Sequence, residues 1–290
     1  MTEDPGGYVL GSTPQERQRL DLQAEYYRPS TEDAPRRGGL RPGMHVLEIG
    51  SGTGGMTLVA ADIVGAGGAV VAVEASADSV ATATSTARSR GLDHVVFEQA
   101  DVLGWEPSRR FDALIGRLVL MYLPDPAAEI RRLARAVVPG GLVLFQDFAI
   151  SAARQQPETA VFRVALDRTL AAFEAAGRPT DMGCNLGRVL RAAGLPDPGM
   201  SIGGRWEDGP DATAYQLLAE TTRTLLPVMV SRGLATEAEV DVDHLEERLR
   251  AAAAEAGSGV SAPPLVTAWS HTSPSSHTSP SSHTSRTARS

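Results

Sequence analysis

Short apolar runs alternate with helix-like stretches between residues 44 and 150, and this alternation constrains the fold more than any other feature of the chain. Such an order favours an α/β fold with a parallel sheet and helices on both faces, because right-handed crossovers keep successive strands parallel. The carboxyl ends of the strands then meet at one edge of the sheet, where ligands bind. The predicted strands are His45–Ile49, Ala69–Val73, Val95–Glu98, Ala113–Ile115 and Leu142–Phe145, and the predicted helices are Met56–Val64, Asp78–Arg90 and Ala127–Val137.

Beyond Asp147 the strands become more widely spaced. Two further strands, 199–205 and 265–270, bring the expected sheet to seven strands, most of them parallel. The intervals between the later strands are far longer than ordinary connections. We therefore expect cap insertions near 151–198 and 207–262, which form a lid or a surface for a homodimer. Apolar periodicity predicts that they are helical, over 160–176, 186–193, 212–231 and 242–256.

The two ends of the chain differ from this core. Thr13-Pro14-Gln15-Glu16 is typical of a helix start, with a capping residue and proline in the first turn. It predicts a helix over 14–28 that Pro29 and the Gly38-Gly39 pair interrupt. At the other end, Ser-His-Thr-Ser-Pro-Ser occurs twice and is followed by a truncated copy. A polar repeat has nothing to bury, so we expect 271–290 to be a disordered tail without a catalytic role.

Residue usage excludes several classes of function. The chain contains no lysine, which excludes Schiff-base chemistry and a Walker-type phosphate loop. Cys184 is the single cysteine, so neither an internal disulfide nor a cysteine-based zinc site can form, and we expect no metal. A net charge of -8 disfavours nucleic acid as a partner. The sequence shows no long apolar run and no signal-like start, which predicts a cytoplasmic protein without a membrane span.

The strongest functional signal is a strand that runs through a glycine-rich turn into a helix, Val46-Leu47-Glu48-Ile49-Gly50-Ser51-Gly52-Thr53-Gly54-Gly55. Backbone amides at such a helix start can approach a ligand closely, because no Cβ atoms shield them. The glycine spacing alone leaves the cofactor open. Gly50-x-Gly52-x-x-Gly55 also fits the dinucleotide fingerprint, with Glu74 where a ribose-binding acid is expected. A nicotinamide-dependent oxidoreductase is therefore an alternative.

The acid before the first glycine makes the motif more specific. Glu48-x-Gly50-x-Gly52-x-Gly54 resembles motif I of the class I S-adenosylmethionine-dependent methyltransferases, which have a Rossmann-like sheet. The resemblance implies that S-adenosylmethionine is the cofactor. It also implies that Glu48 helps to hold the cofactor's ammonium group, while Gly50, Gly52 and Gly54 leave room for its methionine and ribose parts. A carboxylate at this place suits a sulfonium cofactor better than a pyrophosphate.

Further segments match the same family over roughly residues 40–150. Val70–Glu74 ends in an acid, and the resemblance implies that Glu74 chelates both ribose hydroxyls. The stretch 95–102 resembles the one whose acid contacts the adenine amino group, which implies that role for Asp101, with the backbone amide of Val102 nearby. The segments 111–117 and 137–144 resemble the fourth strand and the Pro-Gly-Gly turn into the fifth, with 121–126 between them.

The N-terminal segment resembles a small-molecule branch of the family. In that branch the counterparts of Tyr8-Val9-Leu10-Gly11 and Arg17-x-x-Leu20-x-x-Gln23 form a flap over the cofactor. The resemblance implies that residues 1–40 are a helical flap, that Tyr8 and Gln23 contact the cofactor, and that 41–270 is the methyltransferase domain.

Candidates for the acceptor side stand at the ends of the fourth and fifth strands. Asp147 lies in an apolar setting, where burial raises the pKa of a carboxyl, and we expect it to act as a base or to orient the acceptor. Arg117 and Tyr122 are expected to face the same pocket, and Arg117 is also a candidate for the cofactor side. Many relatives have a histidine at the Tyr122 position.

The expected acceptor is a small, apolar or aromatic molecule, because apolar side chains of the helix 212–231 are placed to roof the pocket. Carbon, oxygen and nitrogen all remain open as the methylated atom. The high content of alanine, arginine and glycine suggests a role in specialised metabolism. A non-catalytic cofactor-binding protein is the second alternative.

Overall fold

A computed structural model describes residues 14–273 of the chain. Within this range the strands are β1 (His45–Ile49), β2 (Ala69–Glu74), β3 (Val95–Gln99), β4 (Phe111–Arg117), β5 (Val137–Phe148), β6 (Arg154–Gln156), β7 (Gly199–Gly203), β8 (Glu207–Asp208), β9 (Gly259–Ser261) and β10 (Leu265–His271). The α-helices are α1 (Pro14–Gly38), α2 (Gly55–Val64), α3 (Ala77–Ser89), α4 (Pro126–Leu133), α5 (Ala160–Ala175), α6 (Met182–Ala192), α7 (Thr213–Ser231), α8 (Glu237–Val240) and α9 (Leu245–Ala256). Short 3₁₀ turns occupy 120–122, 134–136 and 150–152.

Seven strands form the central sheet in the order β3-β2-β1-β4-β5-β10-β7. The strands β1 to β5 pair in parallel, whereas β10 runs antiparallel to both β5 and β7. The middle strands are near-continuous apolar runs because helices cover both faces of a parallel sheet; Val46, Leu47 and Leu114 are completely buried. The predicted α/β fold with a mostly parallel seven-stranded sheet is confirmed.

The first helix differs from its prediction. It continues to Gly38 through Pro29 and Pro35, ten residues past the predicted end at 28. A proline removes one hydrogen bond from a helix interior, but here the helix is held from outside. Tyr27 donates a hydrogen bond from its hydroxyl to the Pro263 carbonyl (2.7 Å) and is buried. Packing and bonding beyond the prolines therefore override the local signal.

Elements of the two predicted insertions share a second, smaller sheet. The first contains β6 and α5, the second contains β8, α7, α8, α9 and β9, and a three-stranded sheet of order β6-β9-β8 links them. Helix α6, although it lies in the first insertion, packs against β5 and β10 and so covers the central sheet.

The first residues of the predicted tail belong to the central sheet. His271 ends β10 opposite Leu142, and the Thr272 amide donates to the Gly141 carbonyl (2.9 Å). The first repeat unit thus supplies backbone hydrogen bonds to the sheet, which composition does not reveal. Residues 274–290 lie outside the described residues, as does Tyr8.

Two kinds of feature are absent from residues 14–273. No helix in this range has the length and apolar character needed to cross a bilayer. The same range contains no group of three or more His, Cys, Asp or Glu side chains placed to hold a metal ion.

Candidate active site

Four neighbouring strands bring charged side chains to one edge of the sheet. Glu74 ends β2, Glu48 is the last residue but one of β1, Arg117 ends β4, and Asp147 is the last residue but one of β5. The sheet order β2-β1-β4-β5 and the parallel pairing place these residues in a row along the carboxyl edge. From β1 the chain adds β2 and β3 on one side of the sheet, and then β4 and β5 on the other side. The change of side falls between β1 and β4, and ligands bind at this point in folds of this kind.

The glycine loop after β1 has a backbone that side chains would disturb. Gly50 has φ 63° and Gly52 has φ 54°, in the left-handed region that favours glycine. A Cβ on Gly50 would stand 2.7 Å from the Val119 Cβ, whereas the same position on Gly52 faces open space with nothing within 4 Å. Gly50 is therefore required by packing, and Gly52 leaves a free face toward the edge.

Glu74 is tied to this loop. Its Oε2 accepts a hydrogen bond from the Gly52 amide (2.9 Å), and its Oε1 accepts one from the Ser76 amide (2.9 Å). The carboxylate is half-buried. Each oxygen retains a further lone pair, so a carboxylate fixed in this way can still receive two hydroxyl groups of a vicinal diol.

Glu48 is a buried acid with spare bonding capacity. Glu48 is only 1% exposed, and its Oε2 has no hydrogen-bond partner within residues 14–273. Burial raises the pKa of Glu48 to about 8; the Thr57 hydroxyl and the Arg117 guanidinium oppose this rise, and Glu74 adds slightly to it. Thr57 lies near without completing a hydrogen bond, since its own hydroxyl is also unsatisfied. A cationic ligand group is the natural complement of such a carboxyl.

Arg117 stands between two buried acids. It is half-buried at the end of β4, and its Nη2 lies 3.2 Å from the position that a Cβ on Gly55 would take. Its positive charge lowers the pKa of both Glu48 and Asp147. The guanidinium is thus placed over the start of α2, close to both halves of the edge.

Asp147 is the second buried acid. It is 1% exposed, and its Oδ1 accepts a hydrogen bond from the Phe148 amide (2.9 Å). Burial raises the pKa of Asp147 to about 7, against the opposing effects of the Phe148 and Met121 amides and of Arg117. The Met121 amide acts without completing a hydrogen bond, because Oδ2 has no partner among the described residues. Helix α6 packs closely against this end of β5, since a Cβ on Gly183 would stand 2.6 Å from the Asp147 carbonyl oxygen.

Asp101 and Val102 follow β3 in an exposed turn. The Asp101 Oδ1 accepts a hydrogen bond from the Leu103 amide (3.0 Å). Arg132, which the sequence analysis did not single out, donates from α4 to the carbonyls of Val102 (2.7 Å) and Trp105 (2.7 Å) and pairs with Glu129. One arginine therefore fixes the turn that carries Asp101. A long-range clamp of this kind leaves no periodic signal in the sequence.

Tyr122 and Gln23 are placed by neighbouring arginines. The Arg178 guanidinium lies over the Tyr122 ring at 5.0 Å and donates to the Tyr122 carbonyl (3.3 Å), so the segment before α6 contacts the turn after β4. Gln23 is half-buried on α1 and accepts a hydrogen bond from Arg19 (2.8 Å).

The donors and acceptors at this edge fit the cofactor that the sequence resemblance implies. The orphan oxygen of Glu48 suits an ammonium group, the fixed carboxylate of Glu74 suits a ribose diol, and the open face at Gly52 admits a ligand between them.

Comparison with known sequences gives the same result. A family described as a methyltransferase domain matches residues 40–178. The ubiquinone/menaquinone biosynthesis C-methyltransferase UbiE of Shewanella oneidensis is 28% identical over 203 residues, which are 67% of this chain and 68% of that protein. Its counterpart in Shewanella sp. strain ANA-3 is 31% identical over 113 residues, which cover 38% of this chain and 45% of the relative.

Solved structures share the fold. The YcgJ protein of Bacillus subtilis has a TM-score of 0.56 at 18% identity, and the match covers 85% of this chain and 99% of that one. A phosphoethanolamine N-methyltransferase of Haemonchus contortus, in complex with S-adenosylhomocysteine, has a TM-score of 0.53 at 16% identity and covers 88% of this chain and 57% of that one. The sequence matches decide against the dinucleotide alternative that the glycine spacing left open. The chain carries a class I methyltransferase domain over residues 40–178, and it is an S-adenosylmethionine-dependent methyltransferase.

Proposed function

We propose that this enzyme methylates a small, apolar or aromatic molecule that binds at the ends of β4 and β5, with Asp147 facing the reacting atom. The observation that carries this proposal is the buried Asp147 carboxyl, whose Oδ2 has no partner within the described residues. A buried polar atom without a partner costs free energy, and a bound ligand that forms a hydrogen bond with it would offset that cost. Its neighbour Phe148 is half-buried and packs against two apolar clusters, so the surroundings suit an apolar ligand.

The cofactor is assigned to the β1–β3 half of the edge. Glu48 receives the ammonium group, Glu74 receives the ribose hydroxyls, and Asp101 with the Val102 amide receives the adenine. When bound, S-adenosylmethionine supplies an electrophilic methyl group on its sulfonium sulfur. Tyr8 and Gln23 remain predicted contacts of the flap, and Tyr8 is outside the described residues.

Asp147 is suited to move one proton. Because its pKa is about 7, a large fraction of the carboxyl is ionised near neutral pH and can accept a proton from an acidic O–H or C–H bond of the acceptor. The electron pair of that bond would then be available to attack the methyl carbon, while the bond from this carbon to sulfur would break and leave its electrons on sulfur. The products would be the methylated acceptor and S-adenosylhomocysteine, with the proton on Oδ2. Arg117 stabilises the ionised form before the transfer, and the 3₁₀ turn that contains Tyr122 lies beside the same strand end.

The choice of acceptor atom is guided by the relatives. The Shewanella proteins are named as C-methyltransferases of quinone biosynthesis, so we place phenolic and enolisable rings first among the acceptors to be tried. Four properties stay predictions: a disordered tail over 271–290, a homodimer, a cytoplasmic location and a role in specialised metabolism.

The test is formation of S-adenosylhomocysteine from S-adenosylmethionine with a panel of small phenols, indoles and oxo acids. With a productive acceptor, Asp147→Asn should lower turnover by about 100-fold or more, the scale of general base catalysis, while cofactor affinity stays within about twofold. Asp62→Asn is the matched control, because Asp62 is an exposed carboxylate on α2 that pairs with Arg90. Equal turnover in the Asp147 variant and the wild type would reject the proton-transfer role.

A further inference from the structure

The backbone of Leu118 is unusual for an aliphatic residue. Leu118 follows Arg117 directly and has φ 56°, in the left-handed region. The two other non-glycine residues with positive φ in the described range are Asp197 and Asp241, and aspartate tolerates this conformation better than leucine does. The Leu118 amide donates to the Gln146 carbonyl (2.8 Å), so the strained residue is fixed to the end of β5.

The left-handed turn sends two consecutive side chains to different places. Val119 enters the core below the glycine loop and occupies the space beside Gly50. Leu118 instead packs, half-buried, against a second cluster to which α1, α5, α7, α9, β9 and β10 contribute. Glycine or asparagine would make the same turn at lower conformational free energy. The turn alone therefore does not explain why a leucine stands here.

The second cluster has a half-buried apolar surface near the strand ends. Besides Leu118, its incompletely buried members include Leu22 of α1, Phe148 of β5, Leu170 of α5 and Leu218 of α7. The Phe148 ring lies 5.0 Å from the Tyr27 ring, which adds a second aromatic face. Four separate elements thus add uncharged side chains to this surface. Two of the residues named flank Asp147, because Phe148 follows it in β5 and Leu118 donates to the carbonyl of the preceding Gln146.

We propose that Leu118 determines acceptor specificity: its side chain forms the apolar wall against which the acceptor ring packs beside Asp147, and the left-handed backbone aims it there. This inference rests on the proposed function and narrows it. The acceptor class is a flat apolar ring or fused ring pair that carries one acidic O–H or C–H. Strained residues persist at sites where the strained geometry is used.

Three substitutions distinguish the effect of the Leu118 side chain from the effect of its left-handed backbone. Leu118→Ala removes the wall and keeps the strained backbone, Leu118→Gly removes both, and Leu118→Met keeps a side chain of similar volume. Asp197→Gly is the control, because it relieves a left-handed residue far along the chain from this edge. The measurements are the unfolding midpoint of each protein, calorimetric affinity for S-adenosylhomocysteine, and affinity for 2-naphthol and indole in the presence of S-adenosylhomocysteine.

The alanine and glycine variants should bind the aromatic probes about tenfold or more weakly, the scale of missing methylene groups in an apolar pocket. The methionine variant and the Asp197 control should stay within about twofold, and all variants should bind S-adenosylhomocysteine alike. The glycine variant should unfold at a higher temperature than the alanine variant, the reverse of the usual order.

The proposal is overturned if the wild type binds neither probe, if all variants bind them equally, or if alanine at 118 is more stable than glycine. A wild type that binds cofactor and probe but never forms S-adenosylhomocysteine with any acceptor would instead refute the proposed function, and would leave the Leu118 wall standing.

Discussion

Replacing Glu48 with glutamine tests the electrostatics on which the cofactor assignment depends. Burial is the largest cause of the raised pKa of Glu48, about 8 against an ordinary 4.5. At about pH 6 the carboxyl is therefore protonated in the free enzyme, and it must lose its proton to pair with an ammonium group. Cofactor binding should then release a proton, and affinity should rise with pH until Glu48 is ionised in the free enzyme.

The size of the effect follows from the shift. One pH unit below the pKa corresponds to ~1.4 kcal/mol of binding free energy, or about tenfold in affinity. S-adenosylhomocysteine should thus bind up to about 100-fold more weakly at pH 6 than at pH 8, with little further gain above pH 8. Asp147, whose pKa is about 7, titrates over the same pH range. The Glu48→Gln variant is therefore needed as a reference, because it removes the contribution of Glu48 and keeps that of Asp147.

The stability of the free enzyme should change with pH in the opposite direction. Between pH 4.5 and about 8 the folded protein holds the Glu48 proton that the unfolded chain has released. The folded state binds more protons in this range, so the free energy of unfolding falls as pH rises and levels off above the folded-state pKa. Glu48→Gln removes this part of the pH dependence.

Calorimetry at several pH values, in two buffers of different ionisation enthalpy, counts the protons. The wild type should release close to one more proton per bound S-adenosylhomocysteine at pH 6 to 7 than Glu48→Gln does, because titration of the ligand's own amine is common to both proteins. Identical proton counts in the two proteins would show that Glu48 does not ionise on binding, and the ammonium assignment would be wrong.

Three further substitutions test the geometry of the same half of the edge. Glu74→Ala should weaken S-adenosylhomocysteine binding by about 1–3 kcal/mol in calorimetry, since it removes an acceptor of buried hydroxyls; unchanged affinity would contradict the ribose assignment. Gly50→Ala should lower the free energy of unfolding by about 1–3 kcal/mol in urea melts, because its Cβ would overlap Val119 in addition to the strain of a left-handed backbone. Gly52→Ala has only the backbone strain and should lower it less, while weakening cofactor binding, so equal melts for the two would refute this distinction. Arg132→Ala should loosen the turn after β3, seen as faster amide hydrogen exchange over 101–106 with a small loss of affinity; an unchanged exchange pattern would show that the clamp is dispensable.

The sheet and the cofactor half of the edge could be predicted from the sequence because their signals are local. A strand buried on both faces must be apolar throughout, so an acid at its end is easy to recognise. Glu74 ends β2, and Glu48 is the last residue but one of β1. The glycine loop can also be recognised in the sequence, because glycine is required only where φ is positive or the packing is close.

The remaining features depend on contacts that distant segments make. Pro29 ends a helix by local rules, yet α1 continues because Tyr27 is buried and bonded to Pro263. Arg132 looks like any exposed helix arginine until the turn that it clamps is folded beside it. Leu118 gives no sign of a left-handed backbone in the sequence, because leucine is among the residues least expected to adopt one.

The position of Arg117 explains why the two halves of this edge can be tested separately. It ends β4, beside the point between β1 and β4 where the sheet order reverses, with Glu48 on one side and Asp147 on the other. Within residues 14–273, one oxygen of each acid has no hydrogen-bond partner, and Arg117 lowers the pKa of both. A substitution in the β1–β3 half should therefore change cofactor affinity, and one at Leu118 or Asp147 should change acceptor binding or turnover. Replacing Arg117 itself raises the pKa of both carboxyls, so among these residues it is the one whose loss should disturb both functions together.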